Sequence, residues 1–290
     1  MFADAIEKIS SAVRPVVACR RNFDKSTETT GGALLIINKE GHFISAAHTF
    51  EVVPLAKIHA SAATKLAVKT IDLKKKDTKE AKRELKKLKP DNKWITASSL
   101  WPGSDGQSVT DLNVIPDADI LIGRLDSFDP STVSNYPVFK SPDAEVRIGT
   151  GLCKVGFAFN ELETEFDAST NGFKIDFKNL VPFPLEGMYT RNIAFKGQNT
   201  GKDMPAIQPK FIETSTPGLK GHSGGPLVDK AGRVWGIQSR TAHIPLGINP
   251  VMAKGSRGEE LEQFLNVSWA IHPEVIIQFL KEHKIDFKSE

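Results

Sequence analysis

Apolar residues at Phe2, Ile6, Ile9 and Val13 recur three to four positions apart, the spacing of one helix face. The chain therefore opens with a short amphipathic helix, after which the apolar period shortens. Val13–Arg20, Gly32–Asn38 and His42–Ala47 read as strands, the last two joined by the turn Lys39-Glu40-Gly41-His42. Further short strands are expected at Leu66–Leu73, Trp94–Leu100, Asp119–Leu125, Gly151–Ala158, Phe173–Phe177, Met188–Phe195 and Ile207–Thr214. Gly225–Asp229 and Arg233–Thr241 flank a tight Lys230-Ala231-Gly232 turn. Val267–His272 gives a last strand, and Pro273–Lys284 a closing helix with proline in its first turn. Many short strands, punctuated by Gly and Pro and interrupted by few helices, predict an all-β sandwich or barrel.

Composition narrows this picture. At 290 residues the chain can hold one large or two coupled domains, and 25% charged residues with 40% hydrophobic ones is an ordinary globular balance. No run approaches 18 uninterrupted apolar residues, so no membrane span is expected. Met1-Phe2-Ala3-Asp4-Ala5 lacks the basic start and apolar core of a secretory signal, which points to a cytoplasmic address. The net charge of +3 is unevenly placed. Lys74–Lys89 holds nine Lys or Arg and three acids, a net +6 against −3 for everything else. This segment, about 73–90, is expected to be a helix ended by Pro90. Leu73, Ala81, Leu85 and Leu88 would form a thin stripe docking it on the body, with Glu80/Arg83 and Glu84/Lys87 spaced for i,i+3 pairs. Such a helix serves either as a solvated face or as a docking element for an acidic protein partner. Nucleic acid is the weaker expectation, because no aromatic residue interleaves the lysines.

Candidate chemistry gathers at three places. In Gly221-His222-Ser223-Gly224-Gly225-Pro226 a serine is framed by glycines. A serine hydroxyl is a weak nucleophile that needs a base to take its proton and donors to hold a developing oxyanion. Glycines beside it let backbone N–H groups turn toward one point. Ser45-Ala46-Ala47-His48-Thr49 places a histidine at the end of a hairpin strand. Asp119 heads the apolar run Ile120–Leu125, with Asp117 and Asp126 as neighbouring acids.

The order His48, Asp119, Ser223 resembles that of the chymotrypsin-fold, trypsin-like serine proteases, closest in style to the cysteine-poor HtrA-like peptidases. Gly31-Gly32-Ala33-Leu34-Leu35, the hairpin Asp229–Ser239 and Val267-Ser268-Trp269-Ala270-Ile271 before the closing helix extend the resemblance over nearly the whole chain. It implies two six-stranded antiparallel β-barrels with an N-terminal helix, a Lys-rich helical insertion and a C-terminal helix. Residues 1–130 would carry His48 and Asp119, and 131–290 would carry Ser223. It also implies a serine endopeptidase acting on protein or peptide substrates. Ser223 would attack the scissile carbonyl, His48 would relay its proton and Asp119 would orient the imidazole. The N–H groups of Gly221 and Ser223 would form the oxyanion hole, with no metal or organic cofactor.

By the same resemblance the pocket for the residue before the scissile bond (P1) has a wall from Pro217 and Gly218 to His222. Its far edge is Ser239, Arg240 and Thr241, and its base runs from Val267 to Trp269. Trypsin-like enzymes keep an aspartate where Pro217 stands, and glutamate-cleaving relatives a histidine where Gln238 stands. An uncharged, small to medium P1 residue is the expectation.

Departures from the family pattern matter too. Thr49 follows His48 where the disulfide-bonded branch has cysteine, and Asp229 stands where Cys153 would find its partner. Cys19 and Cys153 are thus expected as free, buried thiols. His222 replaces the acid that receives a newly cut N-terminus, so zymogen cleavage is not expected; the imidazole reads as exposed and inert, the alternative being that it tunes the oxyanion loop with pH. The connection Ala242–Asn266, with Gly247, Pro250, Gly255 and Gly258, is expected to be mobile, either gating the P1 pocket or forming a surface insertion. The closing helix leaves six residues after Lys284, too few for the PDZ domain that HtrA proteins append.

Two other classes share parts of this pattern. Gly221–Gly225 also satisfies the G-x-S-x-G elbow of α/β hydrolases, but Pro226 and the following turn deny the required helix, and the acid and histidine precede the serine. A catalytically silent protease-fold scaffold is the other alternative, and the complete triad argues against it.

Overall fold

The computed structural model describes residues 1–76, 78–104, 107–158, 161–178, 180–195, 207–247, 251–254, 257–260 and 263–290. Helix α1 (Ala3–Ser10) buries Ala5 and Ile9. Strands β1 (Val13–Asn22), β2 (Thr27–Ile36) and β3 (His42–Ala46) form an antiparallel meander, followed by a 3-10 turn at Ala47–Phe50. Helices α2 (Val52–Lys75) and α3 (Lys79–Lys87) precede β4 (Ile95–Trp101), β5 (Val109–Ile115) and β6 (Ile120–Leu125). These six strands make one sheet in the order β4-β1-β2-β3-β6-β5.

The second half begins with β7 (Val138–Phe139), β8 (Gly151–Gly156), β9 (Glu161–Asp167) and β10 (Gly172–Lys178). It continues through β11 (Phe183–Ala194), β12 (Lys210–Thr214), β13 (Pro226–Val228) and β14 (Val234–Pro245). The chain ends with β15 (Val251–Lys254), β16 (Arg257–Glu260), β17 (Phe264–Ile271), α4 (Pro273–Glu282) and β18 (Lys288–Ser289). Strands β13-β8-β11-β12-β17-β14 close on themselves through the β13–β14 pairing, while β7 and β18 attach outside the ring as parallel neighbours.

The expectation of two closed antiparallel barrels is therefore corrected. One six-stranded barrel closes, and the first sheet remains a half-barrel whose end strands β4 and β5 do not pair with each other. Two local features accompany the opening. A bulge between Thr110 and Asn113, with Asp111 at φ +53°, bends β5. The base of α2 covers the start of β4, where Ile95 N–H donates to His59 Nδ1 (3.0 Å).

Apolar side chains of both sheets merge into one core. Leu34–Ile37, Phe43 and Ile120–Ile122 meet Val155, Val234, Ile237 and Ile271, and α4 closes the end with Val275, Ile276 and Leu280. This shared core fixes the two sheets against each other, so residues from each can face one another across the seam.

The insertion differs from its sequence reading. Leu66–Leu73 is not a strand but part of the 24-residue α2. Its alternation of apolar positions has no partner strand to satisfy, and the alanine-rich run around it favours helix. The lysine-rich segment is not one helix either. The chain breaks at Lys76, and α3 restarts with Thr78 Oγ1 accepting from Ala81 N–H (3.2 Å). Helix α3 packs chiefly against α2, with Leu73 and Ala81 buried and Glu84 held by Lys69 (2.6 Å).

Strands β5 and β9 were not expected, both being rich in polar residues. The connection 242–266 carries strand pairing. Ala242–Pro245 pairs with Phe264–Val267, and β15 pairs with β16, while 248–250, 255–256 and 261–262, with Pro250 and Gly255, lie outside the described residues. No described helix is long and apolar enough to cross a membrane.

Candidate active site

His48 stands on the 3-10 turn that ends the β2–β3 hairpin. The turn is tied down locally: Ser45 Oγ donates to Ala33 O (2.7 Å) and Thr49 Oγ1 to Ala46 O (2.7 Å). Asp119 heads β6 in the left-handed region at φ +54° and is 7% exposed. Its backbone carbonyl accepts from Ala47 N–H (3.0 Å), and its Oδ1 from His48 N–H (3.0 Å). Asp119 Oδ2 lies 2.9 Å from His48 Nδ1 and accepts from Ser239 Oγ at 2.5 Å. Burial pushes this carboxyl upward, yet the bonds from His48 and Ser239 outweigh it and hold the group below the ordinary aspartate range. The neighbouring acids Asp117 and Asp126 are exposed and do not reach the imidazole.

The serine loop is built from backbone. Gly221 takes φ +95°, and a Cβ there would collide with Phe157 O. Gly224 takes φ +86°, and its Cβ would strike Ala33 O. Ser223 O accepts from Ala33 N–H (2.7 Å), which stitches this loop of the barrel to β2 of the half-barrel. Ser223 Oγ donates to Ser239 O (3.3 Å). Among the described residues, neither the Gly221 nor the Ser223 amide N–H has a hydrogen-bond acceptor.

His222, expected to be exposed, is instead fully buried. Its Nε2 lies 2.9 Å from Phe183 O, and its Nδ1 accepts from Leu219 N–H (3.3 Å). Burial pushes the imidazole down to about 4, with the Lys154 ammonium acting in the same direction. No local pattern signals this, because burial of His222 beside the partly exposed Ser223 depends on packing against β8 and β11.

His48 and Ser223 share a cleft of about 360 Å³ with Gly218, Ser239, Arg240 and Thr241, all placed there from sequence. Leu219, Lys220 and Gln238 also line it. Pro217, Val267 and Trp269 do not. Val267 is buried opposite Ala242, and the Trp269 ring lies on Phe195 and Phe211 with Nε1 donating to Glu213 (3.1 Å). Thr241 Oγ1 donates to Gly218 O (2.6 Å) between the two sides of the cleft. A second cavity of about 250 Å³ opens beside His48 and is lined by Arg20, Glu28, Gly31, Glu51 and Val52.

Sequence reasoning missed Lys154. It is fully buried in β8, with Nζ donating to Thr214 Oγ1 (2.9 Å), Thr216 Oγ1 (2.7 Å), Thr216 O (3.1 Å) and Ser268 Oγ (3.2 Å). Burial lowers it to about 8. A charge inside the apolar run Leu152–Val155 was the available signal. Cys19 and Cys153 are free and buried. No group of three or more metal-ligating side chains occurs among the described residues.

Comparison with solved structures places this architecture. The active form of the Rv3671c protease from M. tuberculosis matches with a TM-score of 0.50 at 10% identity, over 98% of this chain and 86% of that one. The HtrA-type protease AlgW with a tripeptide matches at 0.47 and 15% identity, over 98% of this chain and 65% of that one. A variant of AlgW with a decapeptide matches at 0.49 and 14% identity, over 98% and 68%. No protein-family profile matches the sequence, and no curated protein is significantly similar to it. The likeness to the Rv3671c protease establishes a shared fold, the trypsin-like protease fold that the sequence resemblance implies.

Proposed function

We propose that the protein is a serine endopeptidase that cleaves peptide bonds through an acyl-enzyme. The observation that carries this reading is the His48 imidazole, held by Asp119 on one side and sharing a cleft with Ser223 on the other. Asp119 fixes the tautomer with hydrogen on Nδ1, which leaves the Nε2 lone pair free to take a proton. A rotation about the Ser223 Cα–Cβ bond moves Oγ from Ser239 O toward that nitrogen. Ser223 then attacks the scissile carbonyl, and His48 passes the proton to the leaving amine. The unpartnered amides of Gly221 and Ser223 supply the donors for the oxyanion.

The P1 side chain enters beside Gly218, Gln238 and Thr241. Among the described residues no carboxylate lines this cleft, so Arg or Lys would enter without a counter-charge, and an uncharged P1 residue is the consistent choice. Reaction with a fluorophosphonate probe tests the mechanism. Labelling should be abolished by Ser223→Ala and lowered by roughly 10⁴-fold in His48→Ala and Asp119→Asn, the losses not adding. A Ser223→Ala protein that kept its peptidase activity would remove this reading.

A further inference from the structure

We propose that His222 is a positioning residue that holds the oxyanion loop open for its substrate, and that it does so only as a neutral imidazole with hydrogen on Nε2. This rests on the endopeptidase reading above and concerns how its oxyanion donors are kept in place.

The loop from Leu219 to Gly225 presents two amides, of Gly221 and Ser223, with no acceptor among the described residues. Backbone bonds tie the loop to both sheets: Gly221 O accepts from Phe157 N–H (2.8 Å), Ser223 O from Ala33 N–H (2.7 Å), and Gly224 N–H donates to Gln238 O (2.8 Å). His222, between the two free amides, adds four bonds of its own, two of them from its side chain. Its backbone N–H donates to Leu219 O (3.0 Å), and its carbonyl accepts from Gly225 N–H (2.9 Å). Its Nδ1 accepts from Leu219 N–H (3.3 Å), and its Nε2–H donates to Phe183 O on β11 (2.9 Å). Three bonds fold the loop on itself and the fourth pins it to the barrel. Gly156 of β8 lies directly behind, where a Cβ would come within 2.6 Å of the His222 Cα.

The tautomer follows from these partners. Phe183 O can only accept, so Nε2 must carry hydrogen. Leu219 N–H can only donate, so Nδ1 must carry a lone pair. An imidazolium would set two donors against each other at Leu219. The surroundings also resist protonation. The ring is buried, Phe183 packs beside it, and the charged group acting on it is the Lys154 ammonium of β8.

Three measurements test this. Fluorophosphonate labelling of wild-type Ser223 comes first, because its absence would sink the endopeptidase reading and this proposal with it. With labelling present, His222→Phe keeps the ring shape but removes both nitrogens. It should lower kcat by about 100-fold with KM changed by less than about threefold, the signature of weakened oxyanion donors. His222→Asn keeps one donor and one acceptor and should recover part of that loss. Wild-type labelling with unchanged kcat in His222→Phe would overturn the proposal alone. Independently of any variant, the ring ¹⁵N shifts of His222 should report the neutral Nε2–H form at pH 7. An imidazolium or an Nδ1–H tautomer there would overturn it.

Discussion

Ser239 Oγ donates to Asp119 Oδ2 at 2.5 Å, joining β14 of the barrel to the head of β6 in the half-barrel. The carboxylate is therefore held from both sheets, by His48 on its own side and by Ser239 across the seam. Ser239, which edges the cleft shared by His48 and Ser223, thus also bonds the carboxylate that holds His48.

Ser239→Ala should remove one of these restraints without opening a sizeable cavity. A charge-assisted hydrogen bond contributes about 1.5–3 kcal/mol, so kcat should fall roughly tenfold or more while KM stays near its original value. Steady-state kinetics on a peptide substrate reads this directly. An unchanged kcat would show that His48 alone orients Asp119.

Acid should destabilise the protein through two buried histidines. Burial pushes both His222 and His272 from 6.5 down to about 4, and His272 Nδ1 also caps α4 by accepting from Glu274 N–H (3.1 Å). Because the folded values lie below the unfolded ones, their stability contribution is whole above pH 6.5 and is lost as pH falls toward 4. At 1.36 kcal/mol per unit the loss approaches about 3 kcal/mol for each. The urea midpoint should drop across this window, and His272→Asn, which keeps a capping side chain without titrating, should flatten part of the slope.

Both thiols should be inert until the protein unfolds. Cys19 and Cys153 are buried, and burial pushes Cys153 up to about 11 and Cys19 above its usual value. Since the thiolate is the reactive form, a chromogenic disulfide reagent should find neither cysteine in native buffer and both in urea. Fast reaction of one thiol in the native state would contradict the packing of β1 or β8.

The site's local motifs could be read from sequence because each is a short run with its own geometry. Gly221–Pro226 needs glycine where φ is positive, and Ser45–Thr49 folds its own turn through the Ser45–Thr49 hydroxyl pair and the Thr49 bond to Ala46 O. What joins them could not be read. Ser239 meets Asp119 across 120 residues, and Lys154 gathers Thr214, Thr216 and Ser268 from strands that become neighbours only when the barrel closes. The insertion misled for another reason. Val68 and Ile71 of α2 are more than half exposed, so the apolar spacing there does not record burial, which is what a periodicity argument assumes. Strand β9, ELETEFD, pairs with β10 in a separate two-stranded sheet, and its face of Leu162, Thr164 and Phe166 is too short and too interrupted by acids to stand out in the sequence.

The helical hairpin should be separable from the catalytic frame. Ile95 N–H and His59 Nδ1 are hydrogen-bonded, so the two ends of the excursion already meet near the barrel. Excising 63–91 and closing the gap with a short Gly/Ser linker removes the buried pair Leu73 and Ala81 together. Short-peptide kcat/KM should then stay within about twofold, since closing a loop of this length costs little. If the basic hairpin docks an acidic protein substrate, cleavage of that substrate should slow and lose its salt dependence. Equal cleavage of both substrates across a salt series would show that it docks nothing.

Helix α2 springs from the wall of the cavity beside His48, where Glu51 and Val52 line the space and Val52 packs with Ala18 and Ile95. Its 24 residues make a rod of about 36 Å at 1.5 Å per residue, with its base on β4, α3 packed against it and most of its remaining surface in solvent. Mechanically this is a reducing lever. A sideways pull of about 4 Å at the tip turns the rod by about 6° and shifts atoms one turn from the pivot by about 0.6 Å. Displacements near 1 Å are large enough to change turnover by orders of magnitude. Coarse movement at the surface is thus geared down to a sub-ångström displacement of the wall beside His48.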